Sequence, residues 1–77
     1  MKFEYSLHWN KKRKIRKEIS DDLIDYAIQH SSILSDKNWT DALNAICRVP
    51  PMGRILKVVY KRVGKEKIKI ITAFWLD

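Results

Sequence analysis

The chain has 77 residues, 16 Lys and Arg against 9 Asp and Glu, a net charge of +7, and a single cysteine. That length allows one domain, 1–77, and no second core, and 45% hydrophobic residues with only two Gly and two Pro exclude a disordered chain. No stretch approaches the roughly 20 apolar residues of a membrane span, one Cys excludes an internal disulfide, and the basic run near the start leads into no apolar segment, so the expectation is a cytoplasmic protein without a secretory signal.

Charge is distributed in blocks. Residues 1–18 carry seven Lys/Arg against two Glu, residues 19–46 one Lys against five Asp, and residues 47–77 eight Lys/Arg against one Glu and one Asp. The net charges are +5, −4 and +6, which sum to +7. Two basic blocks and a pI near 9.8 favour a polyanionic partner, of which nucleic acid is the commonest. A solvated Lys-rich surface is the plainer alternative.

Met1 to Ser6 alternates Phe3 and Tyr5 with Lys2, Glu4 and Ser6, and reads as a short strand or an extended lead-in. Ser6 is a suitable N-cap for a helix from Leu7 to about Lys17, a stretch free of Gly, Pro and Thr. Its apolar content is thin, and six of residues 11–17 are basic. His8, Lys12 and Arg16 recur at four-residue steps and so share a face. Like charge at this density is self-repulsive unless something anionic lies against it; a solvated surface helix is the alternative.

Ser20 caps a second helix, 20–30, with Asp21 and Asp22 in the first turn, where the helix dipole favours them. Ile19 and Ile24 form a hydrophobic staple, and Leu23, Ile24, Ala27 and Ile28 an apolar stripe for the core. Ile33 and Leu34 suggest a short strand before a turn at Asp36-Lys37-Asn38. Residues 39–49 fit either a helix capped by Thr40 or a strand with Leu43, Ala45, Cys47 and Val49 on one face. The strand is preferred, pairing across Pro50-Pro51 with residues 54–62. Cys47 reads as a small apolar residue, with no Cys/His cluster around it to suggest zinc.

Two β-branched runs around a GKE break, GRILKVVYKRV and KIKIITAFWLD, form a β-hairpin. Alternation puts Leu56, Val58 and Tyr60 on one face of the first strand, and Ile68, Ile70, Thr72 and Phe74 on one face of the second. Lys57, Val59, Lys61, Lys67, Lys69, Ile71, Ala73 and Trp75 take the other. Cross-strand partners share a face, so Tyr60 should pair with Ile70 and Val58 with Thr72, across a loop of odd length, three residues around Gly64.

The order of these features resembles the small helix-then-sheet domains of the RelE/ParE/BrnT toxin superfamily. The carrying residues are Ser6, His8, Arg13, Arg16 and Ile19 on the first helix, then Arg54, Val58, Val59 and Tyr60, and Ile70 to Ala73. The spacing from His8 to Arg13 and on to Ile19 is one residue longer than the usual pattern. The resemblance implies an α+β fold with two N-terminal helices packed on one face of a 3–4-stranded antiparallel sheet. It also implies a toxin-like RNA-binding domain of a type II toxin–antitoxin system, whose active relatives cut RNA, often ribosome-associated mRNA, without a metal or other cofactor. ParE-type relatives inhibit gyrase instead.

Metal-free RNA cleavage needs a base for the 2′-hydroxyl, cations for the phosphorane and an acid for the leaving oxygen. His8 would be the acid or base, since an unperturbed imidazole titrates at about 6.5. Lys12, Arg16 and Arg54 would clamp phosphate, and Tyr60 would donate a proton or stack, although alternation places it with the apolar face. Lys11, Arg13, Lys57 and Lys69 would hold nucleic acid, with Trp75 as a base-stacking platform. Plainer roles compete: His8 can cap or pack at a helix start, Tyr60 can be core, and Trp75 can cover a sheet edge. Two further readings are a nucleic-acid-binding module without chemistry and an interaction domain that docks an acidic antitoxin. The nuclease reading requires the cationic helix to lie beside the wet side of the hairpin, forming one groove with His8 and Arg54 together.

Overall fold

A computed structural model describes residues 2–35, 42–50 and 53–76. The elements are β1 (Lys2–Tyr5), α1 (Leu7–Ile15), α2 (Asp21–His30), β2 (Ser32–Ser35), β3 (Leu43–Val49), β4 (Arg54–Arg62) and β5 (Lys67–Trp75). The fold is α+β, with two helices on a mixed sheet of order β1-β5-β4-β3-β2. No helix of the described residues is long and apolar enough to cross a membrane. The turn expected at Asp36-Lys37-Asn38 lies outside the described residues.

The expectation of three or four antiparallel strands is corrected in two ways: the sheet has five strands, and β1 runs parallel to β5. The alternation of residues 2–5 explains this. Phe3 pairs with Ile68 and Tyr5 with Ile70, so both aromatics join the helix-covered core while Lys2 and Glu4 face away. The remaining pairings, β2 with β3, β3 with β4 and β4 with β5, are antiparallel. Residues 43–49 form the preferred strand, with Ala45, Cys47 and Val49 buried. Gly53, at φ 71° in the left-handed region, ends the connection to β4 and donates its N–H to the Val49 carbonyl at 2.9 Å.

The second helix forms as its sequence suggests. Ser20 Oγ accepts the Leu23 N–H, Asp21 and Asp22 occupy the first turn, and Ile24, Ala27 and Ile28 are buried. The first helix buries only Trp9, so one apolar side chain and a set of polar contacts hold it. Beyond Tyr5, strand β1 stops, and the outer edge of β5 would be open. Elements of α1 close it. The Ser6 N–H donates to the Ile70 carbonyl at 2.9 Å, the Ser6 hydroxyl to the Ile71 carbonyl at 2.7 Å, and Arg16 Nη1 to the Ala73 carbonyl at 2.9 Å. A helix thus satisfies edge groups that would otherwise template another strand.

The hairpin confirms the odd loop: Arg62 pairs with Ile68, Tyr60 with Ile70, and the Val63 N–H donates to the Lys67 carbonyl, leaving residues 64–66 between. A β-bulge then inserts Ile71, and Val58 pairs with Ala73 rather than Thr72. One extra residue reverses the alternation beyond it. Ala73 and Trp75 turn to the helix side, and Thr72 and Phe74 to the open side, opposite to the expectation. The bulge brings small, apolar Ala73 into the main core, where it is fully buried, and turns Thr72 to the other face, where its hydroxyl is buried without a partner among the described residues. The main core joins Trp9, Ile24, Ala27 and Ile28 to Ala45, Leu56, Val58, Tyr60, Ile68 and Ile70. Ala42, Val59 and Ile71 form a smaller cluster on the opposite face.

Candidate nucleic-acid interface

The cations divide between two surfaces. Both helices lie on the core side of the sheet, α1 against β5 and β1, α2 against β3 and β4. Lys57, Lys61 and Lys69 alternate with buried Leu56, Val58, Tyr60, Ile68 and Ile70, so they project from the other side. The single groove expected between the cationic helix and the wet side of the hairpin is therefore not formed: the sheet separates them.

On the helix side, several expected nucleic-acid contacts have structural work. Arg16 reaches the Ala73 carbonyl. The Arg13 guanidinium lies 4.1 Å from the Tyr5 ring centroid and 4.0 Å from the Asp21 carboxylate. The Tyr5 hydroxyl donates to that same carboxylate; burial first, and then this partner, push the phenol above its ordinary value. Arg54 stacks 4.3 Å from the Trp75 ring centroid. That contact, with the bulge, places Trp75 on the helix side, its indole N–H buried and without a partner among the described residues, rather than on the basic face as a stacking platform.

His8 and Lys11 are exposed and Lys12 half-buried. His8 lies in the first turn of α1, whose cap bonds the Ile70 and Ile71 carbonyls. Arg16 lies farther along, at Ala73, about 12 Å of helix rise from His8. Arg54 stacks on Trp75, two residues beyond Ala73. His8 and Arg54 thus share the helix side but not one end of it. Tyr60 is fully buried, its hydroxyl has no partner among the described residues, and burial raises its pKa, opposed by the charge of Arg62. It belongs to the core, which removes it as a proton donor to a solvent-borne substrate.

The sheet face away from the helices is the more regular array, with lysines around a buried centre of Ala42, Val59 and Ile71. Lys61 lies directly opposite Lys69, and Lys57 directly opposite Phe74, with the Lys57 ammonium 5.8 Å from the ring centroid. Ile46 continues the Lys57 row on β3, and Glu4 the Lys69 row on β1. The Glu4 carboxylate pairs with Lys67 at 3.5 Å. Like charges directly across a ladder destabilise it, so the Lys61–Lys69 pair is an unmet demand for an anion. Phe74, missed in the sequence because the bulge was not legible, supplies an aromatic surface beside Lys57 on the same face. Among the described residues no group of three His, Cys, Asp or Glu is placed to hold a metal ion.

Comparison with protein-family models, with curated proteins and with solved structures finds no match to this chain.

Proposed function

We propose that the chain is a toxin-like RNA-binding domain that holds a single RNA strand across its open sheet face. Lys57, Lys61 and Lys69 bind successive phosphates as point charges, and a base stacks on Phe74. The observation that carries this reading is the Lys61–Lys69 cross-strand pair on the same sheet face as the Lys57–Phe74 pair, four residues along β4. Two helices followed by a hairpin-closed sheet support placing the chain beside the RelE/ParE/BrnT toxins, with β1 as a parallel addition at the edge. The test is binding of labelled single-stranded RNA oligonucleotides over a salt series. Binding that weakens steeply with salt and is lost in a Lys61→Ala/Lys69→Ala variant is the expected result. No binding at low salt, or a variant that binds like the parent, refutes it.

Metal-free cleavage is the second reading, favoured by the exposure of His8 on a helix rich in lysine. RNA cut in EDTA by the parent and left intact by His8→Ala would support it. Arg16→Ala does not serve this test, because Arg16 holds the edge of β5.

A further inference from the structure

The outward face of α1 is both basic and aliphatic. Leu7 is 83% exposed and Ile15 76%. With Lys11 between them at four-residue steps they form one stripe, flanked by His8 and Lys14, which are also exposed. A polyanion needs the cations of such a stripe but has no use for two bare aliphatic side chains; a protein surface uses both. The neighbouring helix offers the complement. Asp22, Gln29 and His30 are exposed on it and Asp25 and Tyr26 half-buried, Tyr26 stacked on His30 and packed against the core at its inner edge, with Ile24, Ala27 and Ile28 turned inward.

The two helices form one layer. α1 covers β1 and β5, and α2 covers β3 and β4, so both turn their outer faces to the same side of the molecule. A two-fold axis in the plane of that layer would bring α1 of one molecule over α2 of the other, and α2 over α1, in a single self-complementary contact. We propose that the partner of this face is a second copy of the chain, with Lys11 and Lys14 against Asp22 and Asp25, and Leu7 and Ile15 against Tyr26. Helices of nine and ten residues give a patch of about 20 by 15 Å, roughly 300 Å² per molecule, below the size of stable specific interfaces and fitting only a weak, transient contact. The dimer is therefore concentration-dependent, and it leaves the open sheet face free.

The test is sedimentation velocity at low salt, over protein concentrations up to about 1 mM. The parent should shift from monomer to dimer across this range, and added salt should push the shift to higher concentration. Lys11→Glu/Lys14→Glu makes both helix faces acidic, and Asp22→Lys/Asp25→Lys makes both basic. Each variant alone should dimerise about tenfold more weakly or worse, while a one-to-one mixture should form a heterodimer. Leu7→Asp, at a site without core contacts, should also remain monomeric, and far-UV circular dichroism verifies folding of each variant. A parent that stays monomeric, charge variants that dimerise like the parent, or a mixture that stays monomeric overturns the proposal. If the parent stays monomeric but the face binds an added acidic peptide, the occupant is a different protein and the two-fold pairing is wrong.

Discussion

Ser6 is where the first helix, the bulge and the sheet edge meet, and its replacement gives the sharpest test of the fold. Its oxygen accepts the Trp9 N–H at 3.0 Å, and its hydroxyl donates to the Ile71 carbonyl at 2.7 Å, 65 residues away in sequence. Loss of an N-cap side chain costs about 1 kcal/mol, and a lost hydrogen bond to a half-buried carbonyl about 1 kcal/mol more. Ser6→Ala should therefore destabilise by about 2 kcal/mol, which lowers Tm by roughly 8–16 °C in a domain of this size. Glycine is tolerated at N-caps at a cost of a few tenths. Ser6→Gly should lose chiefly the Ile71 bond, about 1–1.5 kcal/mol. Thermal and urea melts followed by circular dichroism measure both. A Ser6→Ala variant within about 0.5 kcal/mol of the parent, the range of ordinary surface substitutions, would refute the claim that this hydroxyl ties α1 to the bulge.

Other outcomes follow from the same contacts. Lys61→Ala/Lys69→Ala should lower the slope of log affinity against log salt for single-stranded RNA by about 1.4, two phosphates' worth. It should also raise stability by about 0.2–1 kcal/mol as the opposed pair is relieved, readable in a urea melt. Phe74→Leu keeps bulk on the open face but removes the ring, and should weaken RNA binding by about 1–3 kcal/mol with little change in Tm; equal affinity would remove Phe74 from the site. Tyr60→Phe deletes a buried hydroxyl without a partner, so stability should hold or rise by about 1 kcal/mol. Burial raises the Tyr60 pKa above 10.0 in the folded state, so the folded chain keeps a proton that the unfolded chain releases above that pH. The contribution is fully present below pH 10 and is lost as pH rises through the folded pKa. Urea melts between pH 8 and about 11 should show parental stability falling more steeply than that of Tyr60→Phe.

Much of this architecture was legible because local chemistry and tertiary need agree. Ser20, the paired aspartates and the Ile24-Ala27-Ile28 stripe specify α2 by capping and periodicity alone. The hairpin loop followed from parity, since only an odd loop lets Tyr60 meet Ile70 on one face. The bulge was not legible: the residues from Ile70 to Ala73 read as an ordinary strand, and the group that stabilises the insertion, Ser6, lies at the far end of the sequence. Missing it moved Phe74 into the core and Trp75 out to solvent, so the expected base-stacking residue was placed on the wrong face. The same distance hid Arg16, which counts as one more cation in the sequence but reaches a carbonyl of β5 in the fold. The single groove was the natural inference from two basic blocks, yet a basic block does not say which side of a sheet it takes.

The parallel pairing of Lys2–Tyr5 with Lys67–Ile70 has a consequence for synthesis. Strand β1 has no sheet partner until β5 has left the ribosome, and α1, with only Trp9 buried, has little to keep it docked before then. The α2–β3–β4 region can collapse earlier, so an amino-terminal arm rich in lysine trails unattached beside ribosomal RNA until β5 arrives. A ribosome-stalled chain ending within β5 should therefore be cut by protease in β1 and α1 while α2, β3 and β4 resist.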